Sequence, residues 1–217
     1  MIQKLPLKRC AAKASKFIPE VSMKIAIFGG SFDPPHRGHF QILRELYASS
    51  KVDAVLVSPS GRNQNKTWRS ESFQRRKMIE LMVEETALPD SFVKIWWDQL
   101  EQPKKTSTTF DLLSDIRKSY PEDELFFVIG SDLLLDIQGW YRASEYLHEL
   151  NLIVFPRPGF EFSQQSNESL RILLMEHYHP VEISSSELVA KLKAGKDINN
   201  LLSAKVLAYI RAHALYC

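Results

Sequence analysis

Residues 24–39 read Lys24-Ile25-Ala26-Ile27-Phe28-Gly29-Gly30-Ser31-Phe32-Asp33-Pro34-Pro35-His36-Arg37-Gly38-His39. The apolar run before Gly29-Gly30 predicts a short buried strand that ends in a tight turn. From 39 to 49 the apolar residues Phe40, Leu43, Leu46 and Tyr47 recur at helical spacing. A strand, a glycine turn and a helix in that order open a βαβ unit.

The alternation continues outward from this stretch. A second apolar run, 54–57, ends at Ser58-Pro59-Ser60-Gly61, and a long polar loop is expected over 61–72. Helical periodicity returns at 73–85, and 92–96 reads as a third strand. A helix over 110–119, a strand over 125–129, a helix over 141–150 and a strand over 152–155 follow. Strands that alternate with helices predict an α/β, Rossmann-like doubly wound fold. Its mostly parallel sheet has five or six strands, with helices on both faces. The strands are continuously apolar, as burial on both faces requires. Residues 160–168 are polar and read as a surface connection. Two helices are expected to close the chain, one from Ser184-Ser185 to Lys193 and one over 204–212.

The chain has 217 residues, 44% hydrophobic and 25% charged, with a net charge of +2. That excludes disorder along the whole chain, and the charge is too small for a dedicated nucleic-acid binder. No run approaches the ~20 apolar residues of a membrane helix. The two cysteines, Cys10 and Cys217, sit near opposite ends, a usage that fits a reducing, cytoplasmic setting better than a disulfide framework. Residues 1–22 hold five basic residues and one acid. They are expected to form a basic, disordered extension, since they lack both the apolar core of a secretory signal and the Arg-rich amphipathic pattern of a transit peptide.

Ligands of parallel α/β sheets bind at the carboxyl ends of the strands, near the switch point, where 29–39 is predicted to lie. Two glycines let backbone N–H groups approach a phosphate, and His36 and His39 at the start of a helix can donate to a polyphosphate. The competing readings are a plain strand-to-helix turn with packed histidines and a His-x-x-His zinc site. The zinc reading lacks a third ligand at plausible spacing other than Asp33, and no metal ligand is assigned. No Gly-Lys-Ser/Thr closes the stretch, so it is not a P-loop.

Gly29 to His39 resembles the GGxFDPxHxGH signature of the nucleotidylyltransferase superfamily, and 23–216 is similar to the bacterial nicotinate mononucleotide adenylyltransferase family. The resemblance rests further on Gln74-Arg75-Arg76-Lys77-Met78, Ser107-Thr108-Thr109-Phe110-Asp111, Ile129-Gly130-Ser131-Asp132, Trp140-Tyr141, Phe155-Pro156-Arg157-Pro158-Gly159 and Ile183-Ser184-Ser185-Ser186. It implies one nucleotidyltransferase domain over 23–217. The implied reaction joins AMP from ATP to nicotinate mononucleotide, with magnesium on the phosphates as in other phosphoryl transfers. The implied partners are these two nucleotides. Neither nucleic acid nor membrane is among them, and a homo-oligomer is left open.

The same resemblance implies the roles. His36 and His39 are the catalytic pair on the ATP phosphates. ATP contacts are implied at Gly29, Gly30, Ser31, Phe32 and Gly38 in the first motif. Further ATP contacts are implied at Gly130, Asp132 and Arg157 after the fourth and fifth strands, and at Ser184 and Ser185. The mononucleotide is assigned to Asp33, Lys66, Thr109, Trp140 and Tyr141, with Trp140 stacked on the pyridine ring. Several of these have plain alternatives. Trp140 can be core, Asp132 or Thr109 can be an N-cap, and Ser184 with Glu187 forms a capping box.

Three positions depart from the family pattern. Asn65 replaces a His before Lys66, Thr108 replaces a Tyr, and Val189 replaces an Arg after Ser184-Ser185-Ser186. Lys193, one turn beyond Val189, is a candidate substitute for that arginine. Nicotinamide mononucleotide or phosphopantetheine as acceptor, or a nucleotide binder with weakened catalysis, are the alternative functions.

Overall fold

A computed structural model describes residues 22–61, 69–101, 108–160 and 169–216. Six strands form a single sheet: β1 (Lys24–Gly30), β2 (Ala54–Pro59), β3 (Val93–Ile95), β4 (Glu124–Gly130), β5 (Asn151–Phe155) and β6 (Arg171–Leu174). Their spatial order is β3-β2-β1-β4-β5-β6, and every neighbouring pair is parallel. The chain steps outward one way from β1 and then returns to its other side, so the switch point lies between β1 and β4.

Side chains alternate across each strand and fill two separate cores. Ala26, Phe28, Val55, Val57, Phe126 and Val128 face α1 (Arg37–Ser49) and α2 (Ser72–Thr86) in the larger core. Ile25, Ile27, Leu56, Leu125, Phe127 and Ile129 face the smaller one. There they meet Leu112, Leu113 and Ile116 of α4 (Thr109–Ser119), the helix after the single turn α3 (Asp98–Glu101). The last helices, α5 (Ser185–Lys193) and α6 (Ala204–Ala212), join the larger core through Leu188, Val189, Val206, Leu207 and Ile210.

Two sequence expectations are corrected. Residues 141–150 do not form a helix. They are turns around a short 3-10 segment, Ala143–Glu145, and Arg142 just before it sits at φ 56. Ala143, Leu147 and Leu150 still bury the predicted apolar face. The sixth strand that the expected count allowed is β6, a four-residue edge strand that pairs only with β5 and that no apolar run had located. The sheet is parallel throughout rather than mostly so. Most of the expected loop 61–72, the connection 161–168 and residues 1–21 lie outside the described residues.

Candidate functional site

At the carboxyl end of β1 the chain turns through Ser31 and Phe32 into α1. The left-handed backbone here belongs to Phe32 (φ 48) and not to either glycine. Phe32 is wholly buried, and its ring explains Gly30: a Cβ there would come within 3.0 Å of it. Gly29 faces Phe127 with ordinary clearance.

His36 caps α1. Its Nδ1 accepts the Gly38 N–H at 3.2 Å, and the His39 Nδ1 accepts the His36 N–H at 3.1 Å. The two rings lie 3.8 Å apart, tilted by 36°. Gly38 serves this pair. A side chain there would meet the His36 ring at 3.1 Å, so the missing side chain at Gly38 leaves room for the imidazole.

These bonds fix the chemistry of the pair. A ring nitrogen that accepts an amide proton carries none itself, so each neutral ring holds its proton on Nε2. Among the described residues neither Nε2–H has a protein acceptor. Burial, and then the Arg157 guanidinium, push His36 down to about 4 against an upward pull from Glu187. Burial, then His36, then Arg157 hold His39 well below its ordinary value. At neutral pH the site therefore offers two uncharged donors side by side.

Three further elements converge on this pair. The α5 N-terminus is tied to the turn by Ser185, whose hydroxyl donates to the Pro34 carbonyl at 2.9 Å. Ser184 is the N-cap and forms the capping box with Glu187 that the sequence allowed, its hydroxyl proton going to the Glu187 carboxylate at 2.8 Å. The Glu187 N–H is capped by Ser184 Oγ at 3.2 Å, and the remaining first-turn N–H groups with the helix dipole are of the kind that suits an anion. From β4 and β5 come Gly130, Asp132 and Arg157. Arg157 Nε lies 3.8 Å from Asp132 Oδ1, and the Arg157 N–H donates to Ser131 Oγ at 2.9 Å.

The resemblance assigns Asp33 to the mononucleotide. Asp33 is 3% exposed, and its carboxylate is engaged inside the protein. Oδ2 accepts the Arg69 N–H at 2.8 Å, while Oδ1 accepts Ser70 Oγ at 2.5 Å and Tyr216 Oη at 2.7 Å. Through these bonds Asp33 anchors the turn to Arg69, Ser70 and Tyr216. The buried Arg75 belongs to the same polar region and donates to the Ser60 carbonyl at 2.5 Å.

Trp140 packs against the core on the other face of the sheet, which α4, beginning at Thr109, also covers. Thr108, not Thr109, is the N-cap of α4, with Asp111 completing its capping box. Trp140 is half-buried and edge-on to Phe127 at 6.1 Å. Tyr141 is exposed and edge-on to Phe110 at 6.4 Å. Lys66 and Asn65 lie outside the described residues. Val189 faces the core. Lys193 ends α5, about 12 Å along the axis from its start, so it cannot take the place of a cation at the N-terminus. Sequence reasoning missed Arg69 and Tyr216, because their partners are 117 and 183 residues away.

Among the described residues no group of three His, Cys, Asp or Glu side chains is placed to hold a metal ion, and no helix is long and apolar enough to cross a membrane. A family model described as cytidylyltransferase-like matches residues 27–191. The chain is 32% identical over 196 residues to the nicotinate-nucleotide adenylyltransferase of Bacillus subtilis strain 168, covering 89% of this chain and 98% of that one. In fold it resembles the Plasmodium falciparum nicotinic acid mononucleotide adenylyltransferase complexed with NaAD. That match has a TM-score of 0.77 at 24% identity and covers 89% of this chain and 97% of that chain.

Proposed function

The chain belongs to the cytidylyltransferase-like family and, within it, to the nicotinate-nucleotide adenylyltransferases, and from that premise we propose that it transfers AMP from ATP to nicotinate mononucleotide. The products are nicotinate adenine dinucleotide and pyrophosphate, a step in making NAD. The observation that carries this reading at the level of the site is the neutral histidine pair at the switch point, bracketed by Arg157 and the α5 N-terminus.

The reaction needs no nucleophilic side chain. A phosphate oxygen of the mononucleotide attacks the α-phosphorus of ATP, a new P–O bond forms, and the bond to the pyrophosphate oxygen breaks. Such a step asks the protein for alignment and charge stabilisation. His36 and His39 each supply an Nε2–H to the polyphosphate, preorganised by the two backbone bonds to Nδ1. Arg157 adds a cation beside them. Magnesium arrives with ATP as the substrate complex. Phosphate oxygens and water would hold that ion, which would neutralise charge on the polyphosphate, and the Asp33 carboxylate is already engaged within the protein.

Trp140 gives the acceptor's pyridine ring a partly exposed face to stack on, with Tyr141 next in the chain and Thr109 at the start of α4 as further contacts. The need for ATP as co-substrate fits a cytoplasmic setting.

A pyrophosphate-release assay with ATP, magnesium and each candidate acceptor in turn tests the reading. Nicotinate mononucleotide should be the preferred acceptor by kcat/KM. Turnover confined to nicotinamide mononucleotide or phosphopantetheine overturns the substrate, and ATP binding without turnover on any acceptor overturns the enzyme.

A further inference from the structure

We propose that Arg69 is a phosphate-binding residue of this site, the cation that meets the ATP polyphosphate at the α5 N-terminus. The inference rests on the adenylyl-transfer reading above and adds a residue to it.

The first argument is charge. The polyphosphate of ATP carries several negative charges, yet both histidines are held neutral. The first turn of α5 also contributes an anion, Glu187, close enough to pull the His36 pKa upward. Of the cations whose fields reach the histidines, only Arg157 is prominent. A phosphate seated on the α5 N–H groups would meet Glu187 with no cation of α5 nearby, since the helix carries its basic residues, Lys191 and Lys193, in its last turn.

The second argument is placement. Arg69 follows a segment outside the described residues, but its own position is fixed at both ends. Its N–H donates to the buried Asp33 carboxylate at 2.8 Å, next to the histidine turn. Its guanidinium Nη2 donates to Ser186 Oγ at 2.9 Å, at the second residue of α5 and beside Glu187. Ser185 ties the same helical turn to Pro34. The guanidinium is thus held at the first turn of α5.

The third argument is what Arg69 does not do. It is exposed, and among the described residues its guanidinium pairs with no carboxylate. One bond to a serine hydroxyl leaves most of its five N–H donors for a ligand, in the planar fork that fits phosphate oxygens. The hydroxyl orients the fork without neutralising it.

The test uses the full-length protein and the variants Arg69→Gln and Arg69→Lys, with KM for ATP and for nicotinate mononucleotide and the melting temperature as readouts. Loss of one charge-assisted phosphate contact predicts an ATP KM raised by about 10- to 100-fold in Arg69→Gln. The mononucleotide KM and the melting temperature should stay unchanged, and Arg69→Lys should recover part of the loss. An unchanged ATP KM overturns the proposal. So does a rise confined to the mononucleotide, and so does a rise in both KM values with a falling melting temperature, which would mark a structural strap. Direct titration of ATP binding to wild type and Arg69→Gln keeps the proposal testable if no acceptor turns over. In that case the adenylyl-transfer reading fails, while equal ATP affinities would separately remove Arg69.

Discussion

His36 shows how one side chain is prepared by its neighbours. Its Nδ1 is occupied by the Gly38 amide, its ring lies on His39, and burial with Arg157 holds its pKa at about 4. Stability should depend on pH as a result. The unfolded chain takes up a proton at this residue near 6.5, whereas the folded chain does so only near 4. Between those values the unfolded state binds more protons, so unfolding free energy rises with pH from about 4 to 6.5 and then levels off. A shift of this size corresponds to about 3 kcal/mol at most. Urea unfolding of wild type and His36→Asn at pH 7 and pH 4.5 should show wild type losing more stability on acidification, since Asn keeps an N-cap but does not titrate. Equal losses would contradict the buried neutral imidazole.

At this scale much was legible. The strand-to-helix turn with its histidine pair three residues apart behind two glycines is where the sequence places it. What Gly38 and Asp33 do could not be read, because the first depends on the ring beside it and the second on three partners, two of them 36 and 37 residues away and one at the far end of the chain.

Among the elements, the junction of β4 with the short 3-10 segment Ser131–Leu135 is the tightest in the site. A Cβ on Gly130 would lie 2.2 Å from Asp132 Oδ1 and 2.9 Å from Arg157 Nε. Both atoms belong to side chains that can move, so Gly130→Ala should fold. It should displace the Asp132–Arg157 pair, however, and with it the cation beside the histidines. The expected outcome is an ATP KM raised roughly tenfold, the scale of one modest charge contact, with the melting temperature within a few degrees. An unchanged ATP KM would show that Arg157 does not act through this geometry.

The long elements were legible because their periodicity is strong: α1, α2, α4, α5 and α6 all fall within a residue or two of their predicted spans. The failures have physical causes. Residues 141–150 carry helical spacing but fold as turns, with Arg142 in the left-handed region. Their apolar residues reach the same core without a continuous helix. The edge strand β6 is four residues long and pairs on one side only, so it leaves little pattern to detect.

Over the whole molecule, the strand order places the ends of β1 and β4 side by side, and the chain's last turn returns to them. Tyr216 is 183 residues from Asp33, yet its hydroxyl closes on that carboxylate. Arg37 likewise donates from its amide to the Leu201 carbonyl at 2.9 Å, so the segments on either side of α6 brace the histidine turn. The alternation of strands and helices foretold the sheet. The bracing could not be foretold, since it joins segments that no local pattern relates. On the proposed function, the two central strand ends of this parallel sheet present uncharged imidazole donors to a polyphosphate.

Turnover of His39→Ala, measured as pyrophosphate release from ATP with nicotinate mononucleotide, tests that claim most directly. One preorganised donor to developing charge is worth about a hundredfold or more in rate, so kcat should fall by at least that factor while the circular dichroism spectrum is retained. Turnover equal to that of the wild type would contradict the assignment of the histidine pair.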